Sequence, residues 1–325
     1  MKILRLIVSL SALALAASAT PAPAQTPYPT RPIRIIVPIP PGGAPDIAAR
    51  VIGHYLSEAL GQGVVIENRS GANGNIAMDA AAKADPDGFT LLAAADSNIT
   101  INPHVYGAKL SIDTLKDLIP VASIATNQFM IAINPNVPAK TLKEFIEYAR
   151  KASPPLAYAS GGNGSQHHIA MEMLKQRAGI NMLHVPYRGG APSTTATIAG
   201  ETQVLFAGAS NAPNIQAGQL RALAASGKHR SKRYPDLPTI GEMYPGYEVD
   251  IWLGLFAPAG TPEPIVTKLR NEVNALLKRP DVIEKMNVSG SMEPLILPPE
   301  EFSALIRRDY EKYGKLIKEI GVKID

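Results

Sequence analysis

The chain has 325 residues, of which 46% are hydrophobic, 18% charged and 6% aromatic, and it contains no cysteine. That length supports a large core and suggests two lobes, while the missing cysteine excludes disulfides, thiolate metal sites, a cysteine nucleophile and a lipid-modified N-terminal cysteine. Its 32 basic and 28 acidic residues give a formal charge of +4, a balance that would suit a nucleic-acid or membrane partner until the N-terminus is taken into account.

Lys2 and Arg5 precede an apolar run from Leu6 to Ala17, and Ala-x-Ala patterns then end at Ala19 and Ala24. A positive flank, a short apolar run and a small-residue cleavage site form a secretory signal peptide. The run is short for a bilayer span, and no stop-transfer pattern comes after it. Residues 1–24 are expected to be removed by cleavage near Ala24, and Lys2 and Arg5 leave with them. Half of the +4 excess therefore belongs to the signal. No later stretch approaches membrane-spanning length, so the mature protein is expected to be exported and soluble.

Further along, Ile33 to Val37 is a strand-like run ending at Pro38, followed by Gly42-Gly43 and a helical segment from Pro45 to Leu60. Val64 to Glu67 is the next strand, Asn75 to Ala84 a helix, and Phe89 to Ala95 a strand after the turn Asp85-Pro86-Asp87-Gly88. Strand, helix and strand recur at Phe129–Ile133, Thr141–Ala152 and Leu156–Ser160. A helix from Gln166 to Ala178 precedes strands at Met182–Val185, Gln203–Phe206, Leu220–Ala225 and Trp252–Ala257. Helices at Pro262–Lys278, Asp281–Asn287 and Pro299–Ile320 close the chain. This alternation indicates an α/β fold with substantially parallel sheet.

Two strand-to-helix loops are candidates for binding. In Pro38-Ile39-Pro40-Pro41-Gly42-Gly43-Ala44-Pro45-Asp46, glycines let amides face inward and Pro45 suits a first helical turn. Ser160-Gly161-Gly162-Asn163-Gly164-Ser165 repeats the arrangement. A helix start presents unpaired N–H groups and the positive end of a dipole, which suits a carboxylate or phosphate. Either loop alone is better explained as a tight turn; two in corresponding positions shift the balance towards binding. Neither is a phosphate P-loop or a Gly-x-Gly-x-x-Gly loop.

Adjacent His167 and His168 point to different faces of a helix, which argues against a shared zinc site. The plainer reading makes one of them a surface residue and the other a cleft or core residue, with His168 the candidate donor to a bound carboxylate. Asp85 and Asp87 are better explained as a turn than as paired catalytic carboxylates. The run Lys228-His229-Arg230-Ser231-Lys232-Arg233 lacks interleaved aromatics and is most simply a solvated loop. Trp252 sits in an apolar strand and is read as core, and Arg188 beside Tyr187 is a weak anion-binding candidate.

Over almost the whole mature chain, these residues resemble the Bug-type (TctC-like) substrate-binding proteins, extracytoplasmic receptors of tripartite tricarboxylate transporters. The motifs are Tyr28-Pro29-Thr30-Arg31-Pro32-Ile33, Pro40-Pro41-Gly42-Gly43-x-x-Asp46, Leu60-Gly61-Gln62-x-Val64-Val65-Ile66-Glu67-Asn68-Arg69 and Pro86-Asp87-Gly88-Phe89-Thr90-Leu91-Leu92. Tyr158-Ala159-Ser160, His184-Val185-Pro186-Tyr187-Arg188-Gly189, Pro235-x-Leu237-Pro238-Thr239, Trp252-x-Gly254 and Ala257-Pro258-Ala259-Gly260-Thr261-Pro262 come after them in order. The resemblance implies a two-lobed type II periplasmic-binding-protein (Venus flytrap) fold with a mixed sheet in each lobe. It also implies that backbone amides of the first strand–helix loop and the later Ser-Gly loop recognise a carboxylate. The chain departs from the family at Ile39, where an aromatic residue is usual, and at Ala196, where an Asp is usual.

On this reading residues 25–125 plus 251–325 form lobe 1 and 126–250 form lobe 2, closing about segments near Thr126 and Asp250. Gly42, Gly43 and Ala44 offer amides to one carboxylate, flanked by Ile39 and Pro40, while Asp46 caps the loop or meets a polar ligand group. Ser160, Gly161, Gly164, Ser165, His168 and Tyr187 serve from the other lobe. Ser97, Asn98 and Ala207, Gly208, Ala209 and Ser210 line the cleft. The expected function is a soluble periplasmic receptor that captures a di- or tricarboxylate or an aromatic carboxylate and passes it to the membrane subunits of a transporter. It is expected to act as a monomer, without cofactor, metal, nucleic acid or catalytic residue. The alternatives are a secreted hydrolase pairing Ser160 or Ser165 with His167 or His168, which lacks a nucleophile elbow, and a structural or adhesive protein with no small-molecule cleft.

Overall fold

A computed structural model describes residues 28–231, 234–290 and 292–321. The expected signal segment, residues 1–24, and Lys232 and Arg233 of the basic run lie outside the described residues. Eleven strands form among them: β1 (Ile33–Val37), β2 (Val64–Asn68), β3 (Thr90–Ala95), β4 (Leu118–Gln128), β5 (Met130–Ile133), β6 (Ala157–Ser160), β7 (Leu183–Pro186), β8 (Val204–Ala207), β9 (Arg221–Ala225), β10 (Asp250–Pro258) and β11 (Glu293–Pro294).

They make two sheets, of order β11-β4-β10-β3-β1-β2 and β7-β6-β8-β5-β9. In the first, β1 is parallel to β2 and β3, whereas β10 runs antiparallel to β3 and β4. In the second, β6 is parallel to β7 and β8, and β5 is antiparallel to β8 and β9. Both sheets are therefore mixed, as the family resemblance implied, and less parallel than strand–helix alternation alone suggests. The antiparallel share enters where the chain passes between sheets. There β4 and β10 lie side by side, with Trp252 opposite Thr126 and Asp250 opposite Gln128.

The passage is held together by Ser226, which is fully buried. Its hydroxyl accepts the Phe129 amide at 3.0 Å and donates to the Val249 carbonyl at 2.7 Å, while its own amide bonds the Phe129 carbonyl. Three chain segments thus satisfy one another's backbone groups in a region with no room for water.

Around the first sheet, Ile36, Met78, Leu92, Ile99, Trp252, Phe256 and Phe302 form a buried cluster. Trp252 is core, as expected: it is 3% exposed, meets the Phe302 ring edge-on at 5.3 Å and donates to Asp309 at 2.8 Å. Ala132, Ala159, Leu205, Ala207 and Leu220 form the core of the second sheet. A third cluster draws on both halves: Ile101, Val105, Ile169 on the Gln166–Ala178 helix, and Tyr313 and Ile317 on the Pro299–Ile320 helix.

Candidate functional site

The first loop leads into the 17-residue helix Ala44–Leu60, with Pro45 in its first turn as expected. Asp46 is 2% exposed and caps the loop rather than facing a ligand. It accepts the Gly42 amide at 2.9 Å, Arg50 through both oxygens at 3.0 and 2.9 Å, and Asn68 Nδ2 at 2.8 Å. Burial opposes ionisation, but the bonds from Arg50, Gly42 and Asn68 outweigh it and hold the carboxyl below its ordinary range. One expectation is therefore corrected: the Gly42 amide is taken up inside the loop, because the Asp46 carboxylate lies beside it.

The amides of Gly43 and Ala44 have no acceptor among the described residues, and both residues are half-buried. Ile39 packs against Gly43; a Cβ there would lie 2.2 Å from Ile39 Cδ1, so glycine leaves the room the apolar side chain takes. Pro40 is exposed. Asn98 is a brace instead of a lining group, accepting the Ala95 amide at 3.2 Å and donating to the Asn73 carbonyl at 3.1 Å. Ser97 is half-buried, and its hydroxyl has no partner among the described residues.

The second loop is tied down in the same way. Ser160, 1% exposed, shares a 2.6 Å hydrogen bond with His184 Nε2 and bonds the amide and carbonyl of Gly162 at 3.1 Å. The Gly164 amide donates to His168 Nδ1 at 3.0 Å, and Ser165 Oγ caps the Gln166–Ala178 helix by accepting the His168 amide. His168 is therefore not placed as a ligand donor. Its ring stacks on His184 at 3.9 Å and supports the loop from beneath. Burial pushes both imidazoles down to about 4, so the stack is neutral near pH 7. The hydroxyl of Tyr187 goes to Glu201 at 3.2 Å, which corrects its place in the expected site. Gly161 has a free amide among the described residues, and Gly208 approaches the Phe129 ring. Ala207 is buried, Ser210 is exposed, and Ala209 begins a short turn running to Asn211.

His184 and Phe129, which the sequence reading did not single out as site residues, stand beside the second loop together with His167. Parallel pairing sets His184 beside Tyr158 and Pro186 beside Ser160, so the quoted His-Val-Pro motif is the neighbour of the Ser-Gly loop. Phe129 packs against His167 with ring centroids 4.4 Å apart. The pairs of Ser160 or Ser165 with His167 or His168 that the hydrolase alternative named are not formed: Ser165 meets only the backbone of His168, and Ser160 bonds His184 instead, almost wholly buried and held by Gly162. Arg188 is exposed, Arg230 forms a two-pronged pair with Glu242, and Asp87 accepts the Phe89 amide within its turn. Among the described residues, no group of His, Asp or Glu side chains could hold a metal ion.

Gly74 links the first loop to the short helix Asp96–Thr100, and the second loop borders Val105 just beyond that helix. A Cβ on Gly74 would meet both Pro38 of the first loop and Asn98, at 2.7 and 2.6 Å. On the other side, Gln166 donates to the wholly buried Asp96 at 2.6 Å, and a Cβ on Gly164 would lie 2.5 Å from Val105 Cγ1. Loop amides from two mixed α/β sheets, joined by a pair of crossing strands, define the periplasmic-binding-protein class, and solved proteins of that class share the fold. Residues 48–322 match the tripartite tricarboxylate transporter family receptor, and the chain belongs to that family.

BugT of Bordetella pertussis is 34% identical over 321 residues, spanning 96% of each chain. A structure of R. palustris Rpa4515 with adipate has a TM-score of 0.86 at 32% identity, covering 91% of this chain and 99% of that one. MatC from Rhodopseudomonas palustris with bound malate has a TM-score of 0.80 at 29% identity, covering 89% and 100%.

Proposed function

We propose that the mature chain is a periplasmic receptor that captures a small organic carboxylate between two lobes and delivers it to the membrane subunits of a tripartite tricarboxylate transporter. The lobes are residues 25–125 with 251–325, and residues 126–250. The observation that carries the reading is a pair of amides, Gly43 and Ala44, with no acceptor among the described residues, at the start of a long helix and beside the apolar Ile39. Such donors hold a carboxylate through charge-assisted hydrogen bonds and leave the rest of the molecule to be read by neighbouring side chains. Relatives that hold adipate and malate support the same class of ligand here. Capture and release need no catalysis, and the relatives are binding proteins.

The test is thermal unfolding with succinate, malate, adipate, citrate, glutamate and benzoate. A true ligand at one hundred times its Kd adds about 2.7 kcal/mol by mass action, which is about 4 °C for a chain of this size. Absence of a concentration-dependent shift with every acid in the series would remove the basis for the proposal.

A further inference from the structure

His167 is the one imidazole of the second loop region that the protein itself leaves unused. Its ring atoms have no hydrogen-bond partner among the described residues, in contrast to His168 and His184 on either side of the stack. The residue is half-buried. It lies against the Phe129 ring at 4.4 Å, and its Nδ1 is 3.4 Å from where a Cβ on Gly161 would stand, with the Gly189 backbone bordering the same niche. Gly161 contributes a free amide to this niche. Phe129 also borders Gly208, 3.9 Å from where a Cβ there would stand, so the ring that backs the imidazole reaches the turn after β8.

Among the described residues, no charged side chain shifts the ring. Phe129, the Gly161 loop and Gly189 are uncharged, and the nearby His168 and His184 are neutral. Loss of hydration alone lowers His167, to about 4. A neutral imidazole held in this way is a donor without an acceptor, and an anion arriving beside it would be the only charge available to favour its protonated form.

Resting on the receptor reading above, we infer that His167 is the specificity-determining donor of the second loop. It selects a carboxylate whose far end carries a second carboxylate, and it takes up one proton when that end docks. The proton comes from solvent and adds to the free ring nitrogen; no other bond is made or broken. Affinity therefore rises as pH falls toward neutral and below, because the bound complex holds a proton that the free protein lacks. An acid with a hydrophobic far end draws no proton and gains nothing from acidity.

The experiment compares wild type with His167→Gln, titrating adipate, malate and benzoate calorimetrically at pH 6.0 and 8.0 in two buffers of different ionisation enthalpy. For wild type, adipate or malate should bind at least about threefold more tightly at pH 6.0 than at 8.0, which requires the docked carboxylate to lift the ring's midpoint from about 4 to above 6. Fractional proton uptake should accompany binding, and benzoate should show neither effect. His167→Gln should still bind the dicarboxylate at pH 8.0 but lose both pH dependence and proton uptake. Proton NMR of the wild-type His167 ring gives an independent reading, with its titration midpoint moving upward on adding adipate or malate. Binding without proton uptake, or uptake that persists in His167→Gln, would overturn this assignment and leave the receptor reading intact. Failure of every acid to bind would overturn the receptor reading, and the assignment with it.

Discussion

Asp96 is wholly buried beside Asp309, and its neighbours do not offset the lost hydration. One oxygen accepts from Gln166 and the other has no partner among the described residues. Burial, then the Asp309 charge, push its pKa well above 3.8, against the opposing bonds from Ser97 and Gln166. A raised folded pKa makes the carboxyl's contribution to stability complete below the unfolded value, and it is lost as pH climbs through the folded one. Asp96→Asn keeps an acceptor for Gln166 and removes the ionisation, so it should stabilise the fold by about 1–2 kcal/mol at pH 8 and by much less at pH 4. Urea unfolding at both values checks this; a variant less stable than wild type at pH 8 refutes it. The neighbouring histidines show the limit of sequence reasoning at this scale. Helical spacing tells that His167 and His168 diverge, but only the stacked His184, contributed by a strand 16 residues onward, decides that His168 is the one turned inward.

Among the elements, β10 carries the motif Trp252-x-Gly254, and packing explains its glycine. A Cβ there would lie 2.7 Å from Phe302 Cζ and 2.8 Å from Phe256 Cε2, both rings being almost fully buried. Gly254→Ala should therefore cost about 1–3 kcal/mol through overpacking. Chemical denaturation reads the loss, and Phe302→Leu in the same chain should recover part of it by vacating the space. A Gly254→Ala protein as stable as wild type would show that the rings yield freely. Elements with clean apolar runs were legible in the sequence: the Gln166–Ala178 and Pro299–Ile320 helices have the expected bounds, and Thr141 caps its helix through Glu144. The 11-residue β4 was not, because Ser123, Thr126, Asn127 and Gln128 break its apolar pattern to serve the crossing between sheets. The Gly190–Ala199 helix was also missed. Its Ser and Thr content reads as loop, yet Thr194 and Ser193 return their hydroxyls to the Gly190 carbonyl and Thr197 to that of Ser193, so the side chains bond within the helix.

Across the whole molecule, charge and binding are separable. Half of the formal +4 comes from Lys2 and Arg5 at the N-terminus, and many other cations are already paired, as in Arg50 with Asp46, Arg230 with Glu242, Arg279 with Asp281 and Arg308 with Asp309. The proposed anion donors are backbone groups at Gly43, Ala44 and Gly161, which no net charge registers. Exposed charges act through solvent and are screened over roughly 10 Å at 0.1 M salt, whereas groups shielded from solvent are screened far less. Raising sodium chloride from about 50 to about 500 mM should therefore weaken adipate or malate binding by less than about threefold, and Lys228→Ala in the basic run should leave Kd within the same margin. Calorimetric titration across the salt series measures both. A drop of tenfold or more, removed by Lys228→Ala, would place the attraction on the surface run and take it away from the loop amides. A flat response in both proteins would locate it where dehydration and geometry, not long-range steering, set the affinity.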